Sequence, residues 1–207
     1  MSRLILFNKP CRVMSQFSPS ADRATLADYL SIPGVYPAGR LDYDSEGLLL
    51  LTDDGALQAR ISEPRFKLPK TYLVQVEGAP TDEQLRPLRQ GIDLKDGRAL
   101  PAETTLIEPP ALWPRNPPVR ERRHIPDTWV SITISEGRNR QVRRMFAAIG
   151  FPVLRLVRWQ IGEWALDGLA PGEWREISVH LPRQSPSGRR RAGLSRGPRP
   201  SARRPRR

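Results

Sequence analysis

The chain has 207 residues and a formal net charge of +12, long enough for one good core or for two small lobes sharing a sheet. The charge is unevenly placed: residues 181–207 hold ten arginines and no acid, and the remainder is nearly balanced at 24 basic against 22 acidic residues. A single cysteine, Cys11, excludes an intrachain disulfide and an all-cysteine metal cluster; the distant His124 and His180 argue against a zinc site, and no 18-residue apolar run offers a membrane span.

In chain order, Leu4–Phe7 is a short apolar run closed by Asn8-Lys9-Pro10 and reads as a first strand. Its early start leads us to expect no accessory domain before it. Thr25–Leu30 predicts a helical turn stopped near Pro33-Gly34. Charged and apolar residues then concentrate between Ala38 and Gly55. Gly39 and Gly47 give the backbone freedom a side chain would deny, and between them lie Arg40, Asp42, Asp44 and Glu46. Leu48–Leu51 follows as an unbroken apolar run, short enough for a strand buried on both faces. Charged groups at the mouth of such a strand point to a site, because loops on rigid scaffolds carry chemistry. Arg40 and Asp42 are near enough in sequence to pair, which would hold Asp42 ionised and aimed. An Asp-rich turn before a strand is, on the plainer view, only a turn. A calcium loop is argued against by Asp53 where the loop needs Glu, and by Pro37 and Gly39 where it needs an incoming helix.

Ala56–Ile61 predicts a short helix with Thr52 or Asp53 near its cap. Lys70–Glu77 alternates, with Tyr72, Val74 and Val76 on one face, and predicts a strand. Thr81 with Gln84 makes a capping box for a helix that Pro87 strains and Gly91 ends. Ala102–Ile107 reads as another strand. The segment Pro109–Asp127, with six prolines, four arginines, Trp113 and His124, is too irregular for a simple connection. Its arginine–aromatic mixture suits RNA contacts, and a variable surface insertion is the equal alternative. Trp129–Ser135 alternates again. Asn139–Ile149 carries Val142, Met145, Phe146 and Ile149 at helical spacing, with Asn139 able to cap its start and Gly150 its end. Arg138, Arg140, Arg143 and Arg144 put four cations in seven residues around that helix start, suited to a phosphate or carboxylate partner, or else simply a solvated face. Val153–Trp159 reads as a strand and Gly162–Ile177 as a final hairpin around Gly168 and Gly172. The sum predicts an α+β fold, a mainly antiparallel mixed sheet with flanking helices. Residues 1–180 are expected to form one folded domain. Residues 181–207, rich in Arg, Pro, Gly and Ser, are expected to be disordered and to hold a polyanion, RNA first among candidates. The N-terminus lacks the apolar core of a signal peptide, so a cytoplasmic protein is expected.

Three segments, in this order, resemble the pseudouridine synthases of the RsuA type: Gly39-Arg40-Leu41-Asp42 with Asp44, Ser45, Glu46 and Gly47; Lys70-Thr71-Tyr72; and Gly137-Arg138-Asn139-Arg140-Gln141-Val142-Arg143-Arg144-Met145. Members that modify 23S, large-subunit ribosomal RNA are the most similar. They also open on a strand followed by Asn-Lys-Pro, lack an S4-like RNA-binding domain, and carry the insertion that is Trp113–Pro118 here. The resemblance implies isomerisation of a uridine within RNA without a cofactor or a metal. It makes Asp42 the catalytic aspartate, attacking the base or assisting glycosidic cleavage, Tyr72 the active-site tyrosine that stacks on the flipped base and can handle a sugar or base proton, and Arg143 the catalytic arginine paired with the aspartate. Arg138, Arg140 and Arg144 are close enough in sequence to compete for that pairing. Arg40, Lys70, Arg138, Asn139, Arg140, Arg144 and Leu156 are expected to bind substrate, with Leu156 lining the pocket. Without an S4-like domain, the Arg-rich tail and the Pro109–Asp127 loop are expected to supply RNA affinity. The protein is expected to act as a monomer with ribosomal RNA as its partner; a non-catalytic RNA-binding protein on the same fold is the rival reading.

Overall fold

The computed structural model describes residues 1–66, 68–120 and 124–180. The expectations about residues 181–207 lie outside them, as does the part of the Pro109–Asp127 loop at 121–123. In chain order the elements are β1 (Ser2–Lys9), β2 (Val13–Met14), β3 (Ala24–Thr25), β4 (Tyr36–Pro37), β5 (Glu46–Thr52), α1 (Gly55–Ser62), β6 (Lys70–Glu77), α2 (Asp82–Gln90), β7 (Asp93–Leu94), β8 (Gly97–Arg98), β9 (Glu103–Ile107), β10 (Asp127–Ile134), α3 (Gln141–Ala148), β11 (Val153–Ile161), β12 (Trp164–Ala165) and β13 (Trp174–Val179). The main sheet runs β13-β1-β5-β11-β6-β10-β9, with β4 added to β5 and β12 to β11. Every pairing in it is antiparallel except β5 with β11. The expected α+β class is what the chain adopts.

The apolar runs are explained by cores on both faces of this sheet. Ile5, Phe7, Leu49 and Leu51 belong to one core, while Leu4, Leu6, Leu48 and Leu50 belong to the other. Alternate residues of one strand therefore enter different cores, so neither strand has a polar face to show. In β6 only one face is fully apolar: Tyr72, Val74 and Val76 are buried in the first core, beneath Leu85, Leu88, Met145 and Phe146 of α2 and α3.

Several local expectations are corrected. The cap of α1 is Asp54, whose carboxylate accepts from the N–H groups of Ala56 and Leu57 at 2.8 and 3.1 Å. Thr52 is occupied elsewhere, its hydroxyl donating to the Arg3 carbonyl. The end of the chain does not fold as one hairpin: β12 turns back on β11, but β13 crosses to pair with β1. Nor does Asn139 cap α3. Gln141 folds back to accept from the Arg138 N–H at 3.1 Å, and Arg140 sits at the cap in the left-handed region with φ 46°. The Thr81–Gln84 box and the Gly91 stop of α2 occur as read.

Only two residue pairs join β5 to β11, Val157 with Glu46 and Arg158 with Gly47. Gly47 is required at that crossing. A Cβ there would lie 2.3 Å from the Arg158 carbonyl oxygen, and its φ is +106°. Beyond this brief parallel contact β5 and β11 are not paired.

Beside it, Lys9 is wholly buried, its ammonium donating to the carbonyls of Pro10 and Val13 at 2.8 Å each. Burial pushes its pKa down to about 8, and the charge of Arg158 acts in the same direction. Between about 8 and the ordinary 10.5 the unfolded chain thus binds a proton that the native chain does not, and stability rises with pH. Relative to Lys9→Met, the protein should gain on the order of 3 kcal/mol between these pH values, read by urea unfolding. Parallel pH curves for the two proteins would refute this.

Candidate active site

A cleft of about 330 Å³ opens where the two cores meet at the end of the sheet. It is lined by the loop Ala38–Asp42 with Ser45, by Lys70 and Tyr72 of β6 with Leu156 and Arg158 of β11, and by Gly137–Val142. The structure therefore brings Arg40, Asp42, Lys70, Tyr72, Arg138, Asn139, Arg140 and Leu156 to one cavity from four distant parts of the sequence. Tyr72 and Leu156 are 7% and 4% exposed, giving an aromatic and an aliphatic surface beside an acid whose side chain is 29% exposed.

The expected pairing of Arg40 with Asp42 does not form. Among the described residues, the cation within 4 Å of the Asp42 carboxylate is Arg140, at 3.6 Å. The same guanidinium grips Asp44 with two hydrogen bonds of 2.9 Å. Burial opposes the charge on Asp44, but those bonds and the charge of Arg143 outweigh it and hold the carboxyl below its usual range. The left-handed backbone of Arg140 is what turns its side chain from the head of α3 toward this loop. The side chain of Arg40 is exposed, while its carbonyl accepts from Arg158 Nη1 at 3.3 Å.

Arg143, expected to pair with Asp42, lies behind the cleft and not in its wall. It donates to the Asp44 carbonyl at 3.0 Å and to the Ser45 hydroxyl at 3.3 Å, and its Nη2 is 3.4 Å from the Asp44 carboxylate. It thus braces the turn that carries Asp42, and burial lowers its own pKa despite the neighbouring acid. Arg144 is drawn away altogether. It forks onto Asp96 between β7 and β8 at 2.6 and 3.1 Å. Arg138 is held by the carbonyls of Gly97 and Arg98 and by Glu136, with only part of it at the rim.

Glu46, read above as one more charge of the turn, is 1% exposed and binds a different set. Arg155 donates to it twice at 3.0 Å, Trp113 Nε1 donates at 2.8 Å, and Arg115 lies 3.4 Å away. The Pro109–Asp127 loop is thereby tied to the segment after Asp42, and Leu112 and Trp113 pack on the second core. These two residues are fastening groups, whatever the rest of the loop contacts. Sequence reasoning also missed Arg158, Gln141 and Ser45 in the cleft wall. For Arg158 the available signal was two arginines inside the mostly apolar strand Val153–Ile161, since a buried charge requires partners.

A family model described as RNA pseudouridylate synthase matches residues 3–148. The chain is 60% identical over 177 residues to the Ribosomal large subunit pseudouridine synthase E of Vibrio vulnificus, covering 86% of this chain and 76% of that one. It is 59% identical over 171 residues to the protein of that name from Xanthomonas axonopodis pv. citri, covering 81% and 90%. Among solved structures, a crystal structure of a pseudouridylate synthase superposes with a TM-score of 0.71 at 32% identity, over 86% of this chain and 71% of that one.

Proposed function

Since this chain belongs to the RNA pseudouridylate synthase family, we propose that it converts a uridine of large-subunit (23S) ribosomal RNA to pseudouridine, with Asp42 as the catalytic carboxylate. The observation that carries the reading is the convergence of Asp42, Tyr72 and Arg140 on one cleft with room for a nucleobase. The large-subunit target is supported by the identity with relatives named for that subunit.

A uridine inside folded RNA cannot reach Asp42 until it leaves its stack, at a cost of a few kcal/mol. Tyr72 and Leu156 offer the extruded base an apolar, partly aromatic bed, and the exposed Arg40, Asn139 and Arg140 lie where the flanking backbone would pass. Arg140 lies 3.6 Å from the Asp42 carboxylate, and its bidentate grip on Asp44 fixes the direction of that contact. An ionised, aimed carboxylate can bond to an electron-poor carbon or steady the sugar as the N1–C1′ bond opens. Both routes use the same three residues. The protein works on RNA as a monomer in the cytoplasm, with no cofactor in the reaction.

Pseudouridines are mapped in ribosomal RNA from cells with and without this protein, and the purified protein is then added to RNA from the deficient cells. One large-subunit uridine should be unmodified in the deficient cells and restored in vitro. Identical maps would overturn the assignment.

A further inference from the structure

Besides the exposed Arg40, two cations withdrawn from solvent in the cleft have no acid to answer them among the described residues. Arg158 is 4% exposed; its Nε donates to the Leu48 carbonyl at 2.7 Å and its Nη1 to the Arg40 carbonyl, and its buried Nη2 has no partner. Lys70, half-buried on β6, donates to the Leu68 carbonyl at 3.0 Å. Neither makes an ion pair among the described residues. Burial, followed by the charge of Arg158, lowers the pKa of Lys70. Backbone carbonyls alone are poor compensation for two neighbouring charges in a partly dry cavity. The site is therefore short of negative charge on the side that carries Lys70, Tyr72 and Arg158.

Resting on the synthase reading above, we propose that Lys70, with Arg158 behind it, stabilises the negative charge that the uracil acquires as it detaches. When N1–C1′ breaks with its electron pair left on the base, the charge spreads over N1 and the two carbonyl oxygens. On reattachment C5 returns a pair to C1′, then C5 loses its proton and N1 gains one, so the composition is unchanged. The anion exists only between these steps. A fixed cation facing it lowers the barrier without tightening the ground state, because the neutral uridine carries no such charge. Lys70 is the group that meets the base. Arg158 is a positioning residue: it ties the Arg40 carbonyl to β5 and β11 two residues before Asp42, and its own charge adds to the field.

The test uses the full chain and large-subunit RNA from cells lacking the protein, with wild-type conversion as the control for the parent reading. Lys70→Met should lower kcat by about 100-fold with KM within about threefold, and Lys70→Arg should recover at least a tenth of the wild-type rate. RNA transcribed with 5-fluorouridine has a more acidic base that leaves more easily. Cleavage of its glycosidic bond should depend less on the cation, so the ratio of wild type to Lys70→Met should shrink at least threefold. Arg158→Lys, checked for folding by circular dichroism, should lower kcat by roughly tenfold and show the same shrinkage. A raised KM with unchanged kcat would assign Lys70 to the RNA backbone and overturn the proposal. An equal penalty on both RNAs would make the role structural and overturn it too. An inactive wild type would instead remove the reading on which the proposal rests.

Discussion

Asp42→Asn should abolish turnover, by at least about 10⁴-fold, while leaving the fold and RNA affinity close to wild type. The substitution keeps the shape of the side chain and removes only its charge. What distinguishes this site is that Arg140 does not depend on Asp42 for its place, since two 2.9 Å bonds already hold it on Asp44. The Asp42 turn is braced separately by Arg143 through the Asp44 carbonyl and Ser45, and by Arg158 through the Arg40 carbonyl. The geometry therefore survives while the chemistry is lost. Single-turnover pseudouridine formation, filter binding and thermal melting on the same preparation check all three parts. A rate within tenfold of wild type would end the assignment of Asp42.

Glu46→Ala should cost about 3–5 kcal/mol of stability, because it strips a buried acid from partners that stay behind. Arg155 and Arg115, with side chains 9% and 15% exposed, would be left facing each other without their shared carboxylate, and Trp113 would lose its acceptor. For a chain of this size that corresponds to about 6–20 °C in Tm. Urea unfolding reads it directly. Removing a partner as well, in Glu46→Ala/Arg155→Met, should return at least about 1 kcal/mol, since an apolar pair is tolerated where a lone charge is not. A loss below about 1 kcal/mol in the single variant would show that the cluster is open to water and the loop not fastened through it.

The two cases differ in how visible they were. Asp42 announces itself through its turn, two glycines and the buried strand that follows. Glu46 sits four residues on in the same charged turn and looks like more of the same. Its pairing with Arg155 and Trp113 crosses 109 and 67 residues, and no local pattern carries that. The four arginines around α3 show the same limit. Their spacing promised cations near a helix start, yet one backbone conformation at Arg140 and one fork between Arg144 and Asp96 decide which of them reaches the cleft. The missing Asn139 cap has the same origin, because the long side chain of Gln141 reaches the Arg138 N–H first.

By itself the sequence determined the longer strands β1, β5, β6, β9, β10 and β11, the three helices and the residue types of the site, because alternation and helical spacing are set by neighbours a few positions apart. Tertiary structure alone decided the pairing of charges and the crossing of β13 to β1. Those depend on where β5 and β11 meet over two residues and then part, and the energy of a buried ion pair is fixed by distances of a few ångströms between segments that the chain separates by a hundred residues.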